Sequence, residues 1–279
     1  MTDDGTPGNL PPAAEPLGEA APVFAPPPAP TPEPWTVRDL LLFIALLPIA
    51  FVAAYFLVMI GYTLLAPLAR WPSLTPKIAG GTLFLLVVQT VLYFFVLGLV
   101  YLLVDVRYQL PFWSGVGWRM PRSWHVPAYF LAGLVLAFAV LLAPPLLPDT
   151  ESFPLQEMFT SRAASYAIGA FAITVAPFME ELIFRGVMFA VFERRAGLRF
   201  AVLATAVLFA GLHVPEYWRA WNHVLMILVV GVAFSLARGI TGSLAPSVIL
   251  HMGYNASMMM GLFFSTRAGG QAQWRRRWG

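Results

Sequence analysis

The sequence predicts an all-α protein, a polytopic bundle of about seven transmembrane helices behind a disordered N-terminal tail. Three observations predict it. Of its 279 residues, 59% are hydrophobic and only 11% charged, whereas soluble domains carry about a quarter charged. Most of the chain therefore faces lipid or other apolar helices. Beyond Asp39 the apolar residues fall in runs, most of them near the roughly twenty that a helix needs to cross a bilayer. The joints between the runs collect prolines, tryptophans and most of the charges.

Residues 1–34 hold 11 of the 25 prolines. Such a segment buries too little apolar surface to offset its ordering entropy and is expected to be a disordered, polyproline-like tail. It lacks the basic start of a signal peptide, and the apolar run after it is too long for one. The first span is expected at about Leu40–Ala69, with Pro48 kinking it. A short loop with Pro72, Pro76 and Lys77 leads to the second, about Ile78–Val104. In Asp105–His125, Trp113, Trp118 and Trp124 stand beside Arg107, Arg119 and Arg122, the pattern of an interfacial belt. The third span, about Val126–Leu147, ends in Pro144, Pro145 and Pro148. Asp149–Arg162 reads as a loop or short surface helix. The fourth span, about Ala163–Phe192, ends at Glu193-Arg194-Arg195. The fifth, about Phe200–Val214, and the sixth, about His223–Ala237, are short, and Trp218 and Trp221 mark the interface between them. The seventh is about Ser243–Phe264, followed by a basic tail with Arg275–Arg277. There is no internal repeat. The division is a tail (1–34), N-terminal helices (35–159), a late helical region (160–265) and a C-terminal tail (266–279).

Composition also excludes functions. The net charge of +3 is small and scattered, which gives no basic surface for nucleic acid. Cysteine is absent, which removes disulfides, thiol nucleophiles and cysteine metal sites. With the N-terminus inside, the two sides carry eight basic residues each, or eight against five without Arg275–Arg277. That count mildly favours a cytoplasmic N-terminus. The Pro/Ala-rich tail and arginine-heavy usage suggest a bacterial source, hence a multi-pass protein of a bacterial cytoplasmic membrane.

Polar residues within the spans are scarce and fall in three late helices. Ala176-Pro177-Phe178-Met179-Glu180-Glu181-Leu182-Ile183-Phe184-Arg185-Gly186 places two carboxylates and a guanidinium in the fourth span. One charged side chain near the bilayer centre costs roughly 2.5–3.5 kcal/mol on insertion scales, so three together imply partners, a wet cavity and usually a function. Glu181 and Arg185 are four apart and share a helix face, so they can pair. Glu180 lies about 100° round the helix and is left to act as a proton acceptor. Pro177 removes a backbone N–H and disturbs the turn before it, which can make room for water. His213 ends the fifth span with Phe209 four residues earlier, where packing suits Phe209 better than chemistry. His251 and Asn255, again four apart, project together from the seventh span. A base, a nearby imidazole and a His/Asn donor pair suffice for hydrolysis: Glu180 with His213 polarises water, and His251 with Asn255 hydrogen-bonds a developing oxyanion.

Glu-Glu-x-x-x-Arg at 180–185, Phe-x-x-x-His at 209–213 and His-x-x-x-Asn at 251–255, in that order, resemble the three motifs of the CPBP family. These are the CAAX-protease and bacteriocin-processing membrane proteins, also called Abi, which include the type II CAAX prenyl endopeptidases. The resemblance covers about residues 160–265. It implies an intramembrane glutamic endopeptidase on an all-helical fold, with no cofactor. It also implies that Glu180 and His213 activate water, that Glu181 and Arg185 support them, and that His251 and Asn255 form the oxyanion hole. The implied partners are membrane lipid and a peptide or protein substrate, soluble or membrane-anchored, and not nucleic acid. Other readings stay open. Glu180, His213 and His251 are zinc ligands by type, although no His-Glu-x-x-His occurs. The same helices could serve binding or regulation without catalysis. Intramembrane carboxylates and histidines also build transporter proton relays, although no inverted repeat is visible.

Overall fold

The computed structural model describes residues 34–142, 162–218 and 220–278. The expected tail, residues 1–34, falls outside them except for its last residue, and so does nearly all of the expected loop or surface helix at 149–162. Every described element is helical, and among the described residues there is no strand.

Helix α1 (Val37–Ala69) begins in a capping box. The Asp39 N–H donates to Thr36 Oγ1 (3.3 Å) and the Thr36 N–H to Asp39 Oδ2 (2.9 Å), which satisfies two of the first turn's orphan donors. The helix continues through Pro48 and Pro67 and stops at Arg70, whose backbone is left-handed (φ 55°). A single turn, α2 (Pro76–Ala79), leads to α3 (Thr82–Leu102), which closes in a π-helical turn at Leu103–Arg107. Asp39 does more than cap: it is buried, pairs with Arg107 Nε at 3.0 Å and accepts a hydrogen bond from the Tyr108 hydroxyl. Next to it, buried Trp35 donates from Nε1 to the carbonyl of Gly115 (2.8 Å) in the short α4 (Phe112–Gly115), and the Trp35 carbonyl accepts from Arg194. This knot joins the start of α1 to the far end of α3 and to the chain near residue 194.

The remaining helices are α5 (Val126–Leu141), α6 (Arg162–Ile173), α7 (Val175–Glu181), a π-helical segment (Leu182–Met188), α8 (Phe189–Leu212), α9 (Trp221–Thr241) and α10 (Leu244–Trp278). Among the described residues, five segments are long and apolar enough to cross a membrane: Val37–Ala69, Thr82–Arg107, Ser123–Leu141, Ala164–Leu212 and Trp221–Thr241. The fourth of these holds both the fourth and fifth spans of the sequence reading. They part at Gly197, whose φ of 80° and ψ of 173° break α8; this backbone state is open to glycine and strained for residues with a Cβ. The seventh expected span lies within α10, which runs on as helical backbone to Trp278. Large apolar side chains point outward along α1 and α3, Leu64 and Leu68 among them, as a lipid-facing surface requires. The protein is an integral membrane protein.

The buried core gathers Phe43, Val100, Leu182, Phe184, Phe209, Phe234 and Val248 from six segments. Helix α10 is set in place chiefly by α5. At their crossing Gly133 and Gly253 let the backbones meet: a Cβ on Gly133 would overlap the Leu250 carbonyl oxygen, and one on Gly253 the Phe130 carbonyl oxygen. Small residues at such crossings let membrane helices pack closely. Gly133→Val is expected to lower thermal stability by roughly 1–3 kcal/mol through overpacking. Gly98→Val, where a Cβ meets nothing within 4 Å, should melt like the parent. Equal melting of both variants in detergent would refute this close approach.

Candidate active site

The local backbone explains how the two glutamates come apart. Pro177 cannot donate to the carbonyl of residue 173, and the chain breaks there: α6 ends at Ile173, and Thr174 (φ −117°, ψ −66°) separates it from α7. Glu180 and Glu181 fall at the end of α7, just before the π-helical segment that carries Arg185. Single π turns concentrate at functional sites. The widened turn is satisfied from outside, because Arg238 Nε donates to the Arg185 carbonyl (3.1 Å).

Glu181 and Arg185 are both completely buried and pair at 2.9 Å. Around them every polar atom is matched. Arg185 also donates from Nε to Ser235 Oγ (3.2 Å) and from Nη2 to the Gly231 carbonyl (2.8 Å). Its guanidinium lies over the rings of Phe209 (4.8 Å), Phe234 (5.5 Å) and Phe184 (5.7 Å), where a cation gains from the ring faces. Ser235 Oγ is 2.9 Å from Thr205 Oγ1 on α8. The other Glu181 oxygen accepts from Ser247 on α10, whose Oγ also contacts the Phe234 carbonyl (3.0 Å). Phe209 is thus a packing residue, and its ring covers the ion pair.

His251 stands between the two carboxylates. Its Nδ1 lies 3.0 Å from Glu181 Oε1 and its Nε2 lies 3.8 Å from Glu180 Oε2. The first is a hydrogen bond; the second is ion-pair range and too long for one. A carboxylate accepts, so the Nδ1 proton belongs to the Glu181 contact and Nε2 faces Glu180. The ring is stacked on Phe234 at 4.3 Å. Glu180 differs from its neighbour: 24% of its side chain is exposed, against none of Glu181's.

His213, at the end of α8, has Nδ1 2.8 Å from the Phe209 carbonyl. A carbonyl accepts only, so the proton sits on Nδ1 and the Nε2 lone pair can take one. The His213 ring lies 4.9 Å from that of Phe209, which lies 5.9 Å from that of His251. Asn255 is the outlier of the expected set. Its side-chain amide donates to the Ala172 carbonyl (2.7 Å) and so ties α10 to α6 just ahead of the break at Thr174. The structure therefore groups Glu180, Glu181, Arg185 and His251 tightly, brings His213 to the edge of the group, and fastens Asn255 to the backbone one turn away.

Sequence reasoning missed Ser235, Ser247 and Thr205. Hydroxyls are common in membrane helices, and only the tertiary contact shows that these three serve the ion pair. It also missed Tyr93 on α3, whose ring stacks on Phe171 of α6 (centroids 5.7 Å). Among the described residues, no three His, Asp or Glu side chains are grouped to hold a metal ion.

Residues 162–257 match the family described as type II CAAX prenyl endopeptidase Rce1-like. No curated protein and no solved structure gives a significant match. The matched stretch runs from the start of α6 into α10 and contains every residue of the group above except Tyr93.

Proposed function

We propose that this chain, whose residues 162–257 match the Rce1-like family of type II CAAX prenyl endopeptidases, is an intramembrane glutamic endopeptidase that uses Glu180 as its base. The family is one of membrane proteases, which supports an enzyme of that class. The observation that carries the residue assignment is the unequal state of the two glutamates. Glu181 is sealed and fully bonded to Arg185, Ser247 and His251, while Glu180, beside the same imidazole, keeps part of its surface open.

In this reading a water beside Glu180 attacks the scissile carbonyl carbon. Glu180 takes one of its protons, and the Nε2 lone pair of His213 helps to orient it. General-base catalysis of this kind contributes about 10²–10⁴-fold. The new O–C bond drives charge onto the carbonyl oxygen. His251, in its protonated form, holds Glu181 with Nδ1–H and turns Nε2–H to that oxygen. Asn255 has two amide protons. The one bound to Ala172 fixes the side chain and the other serves the oxyanion. Collapse breaks the C–N bond, and Glu180 returns the proton to the leaving amine. The substrate is a peptide or protein that reaches the membrane, with or without a lipid anchor.

Hydrolysis of a membrane-anchored peptide by the purified protein tests this; a protein of the same fold that only binds or regulates leaves the peptide intact. Two further outcomes are expected. Asn255→Ala should lower kcat by about 10²–10³ with little change in KM, as loss of one oxyanion donor does. A change in KM alone would make Asn255 a substrate-binding residue. Chelators should leave turnover unchanged; stoichiometric zinc in elemental analysis, with activity lost on its removal, would replace Glu180 by a metal-bound water.

A further inference from the structure

A groove of about 840 Å³ opens between α1 and α3, lined by residues outside the catalytic group, including Leu57, Gly61, Tyr62, Trp71, Gly81 and Val87. Gly61 lies well inside α1, where glycine weakens a helix. No neighbour uses the space it leaves, because a Cβ there meets nothing within 4 Å. One end of the groove carries the aromatic signature of a membrane boundary. There Tyr62 packs on Trp71 (ring centroids 5.6 Å) and donates to the Pro72 carbonyl (3.0 Å), an aromatic pair at headgroup level. Along α1 the lining runs from Leu57 to Leu65, about 12 Å at 1.5 Å per residue, close to one leaflet's hydrocarbon depth of about 15 Å. Two exposed cations flank this mouth, Arg70 next to Trp71 and Lys77 next to Ile78. No acidic residue occurs between Leu40 and Val104.

We propose that this groove binds one anionic glycerophospholipid, with an acyl chain along Leu57–Val87 and the phosphate between Arg70 and Lys77. The depth matches a lipid tail from one leaflet, and the charge at the mouth matches a headgroup that carries net negative charge. The site is independent of hydrolysis and stands or falls without it.

The test is native mass spectrometry of the full chain, delipidated in detergent and titrated with phosphatidylglycerol or phosphatidylcholine. The parent should retain one phosphatidylglycerol in preference to phosphatidylcholine. Cations near a membrane surface contribute about fivefold each to anionic-lipid binding, so Arg70→Asn with Lys77→Gln should weaken phosphatidylglycerol by about 25-fold and leave phosphatidylcholine unchanged. Asparagine suits position 70 because the backbone there is left-handed (φ 55°). Gly61→Phe should fill the groove and reduce retention of both lipids. Equal retention of the two lipids by the parent overturns the proposal. So does undiminished phosphatidylglycerol binding in either variant, or a dimer that Gly61→Phe dissociates. Should Gly61→Phe melt early, the Arg70/Lys77 variant, altered only at exposed positions, decides alone.

Discussion

Arg185→Ala and Glu181→Ala should each destabilise the protein by roughly 3–5 kcal/mol, the range for breaking one side of a buried ion pair. Both side chains are completely inaccessible, so neither survivor can recover its lost partner from solvent. Removing Arg185 strands the Glu181 carboxylate and leaves Ser235 and the Gly231 carbonyl without their donor. It also empties the space between three phenylalanine rings. Removing Glu181 strands the guanidinium and releases Ser247 and His251. The double substitution should lose less than the sum of the singles, because the remaining charge goes with its partner. Thermal melting in detergent checks this, and parental melting of both single variants would place the pair in contact with water and remove its supporting role.

Much of this was legible from residue spacing. Glu181 and Arg185 are four apart, and they pair even though the helix between them widens into a π segment, because one turn still brings their ends together. Pro177 signalled the break at Thr174, because it cannot donate to the carbonyl of Ile173, although α1 runs on through Pro48 and Pro67. The joint between the fourth and fifth spans was placed by Glu193-Arg194-Arg195, while the positive φ of Gly197, where the helix breaks, is invisible until the chain is folded. Other features were not legible at all. Asp39 reads as an ordinary charge before a span, yet it is buried under Arg107 and Tyr108, which lie about 70 residues away. Gly133 reads as filler in an apolar run, yet it lets α5 meet the α10 backbone at Leu250 and Tyr254, on either side of His251. Asn255 reads as a donor facing the same oxygen as His251, and its observed hydrogen bond is to Ala172. Spacing places side chains on a face of one helix, while the partner across the gap depends on which helix arrives there.

Glu180→Gln should abolish peptidase activity and leave the fold intact. Glutamine keeps the volume of the side chain, and the position is not sealed as Glu181 is. The loss expected from removing a general base is about 10²–10⁴-fold, and near total where no other group can take the proton from water. His213 cannot replace it fully, because its ring is held by the Phe209 carbonyl at the edge of the group. His213→Ala should therefore be impaired but less severely. Activity lost together with melting temperature would point to a structural role for Glu180.

In the proposed mechanism Glu180 makes the nucleophile of a membrane-embedded peptidase. Its most direct test is the single-turnover rate of cleavage of a membrane-anchored peptide, measured side by side for the parent and Glu180→Gln at matched thermal stability. Cleavage by the parent, with the variant slower by at least about a hundredfold, is the predicted result. Cleavage at near-parental rate by Glu180→Gln would rule out Glu180 as the base.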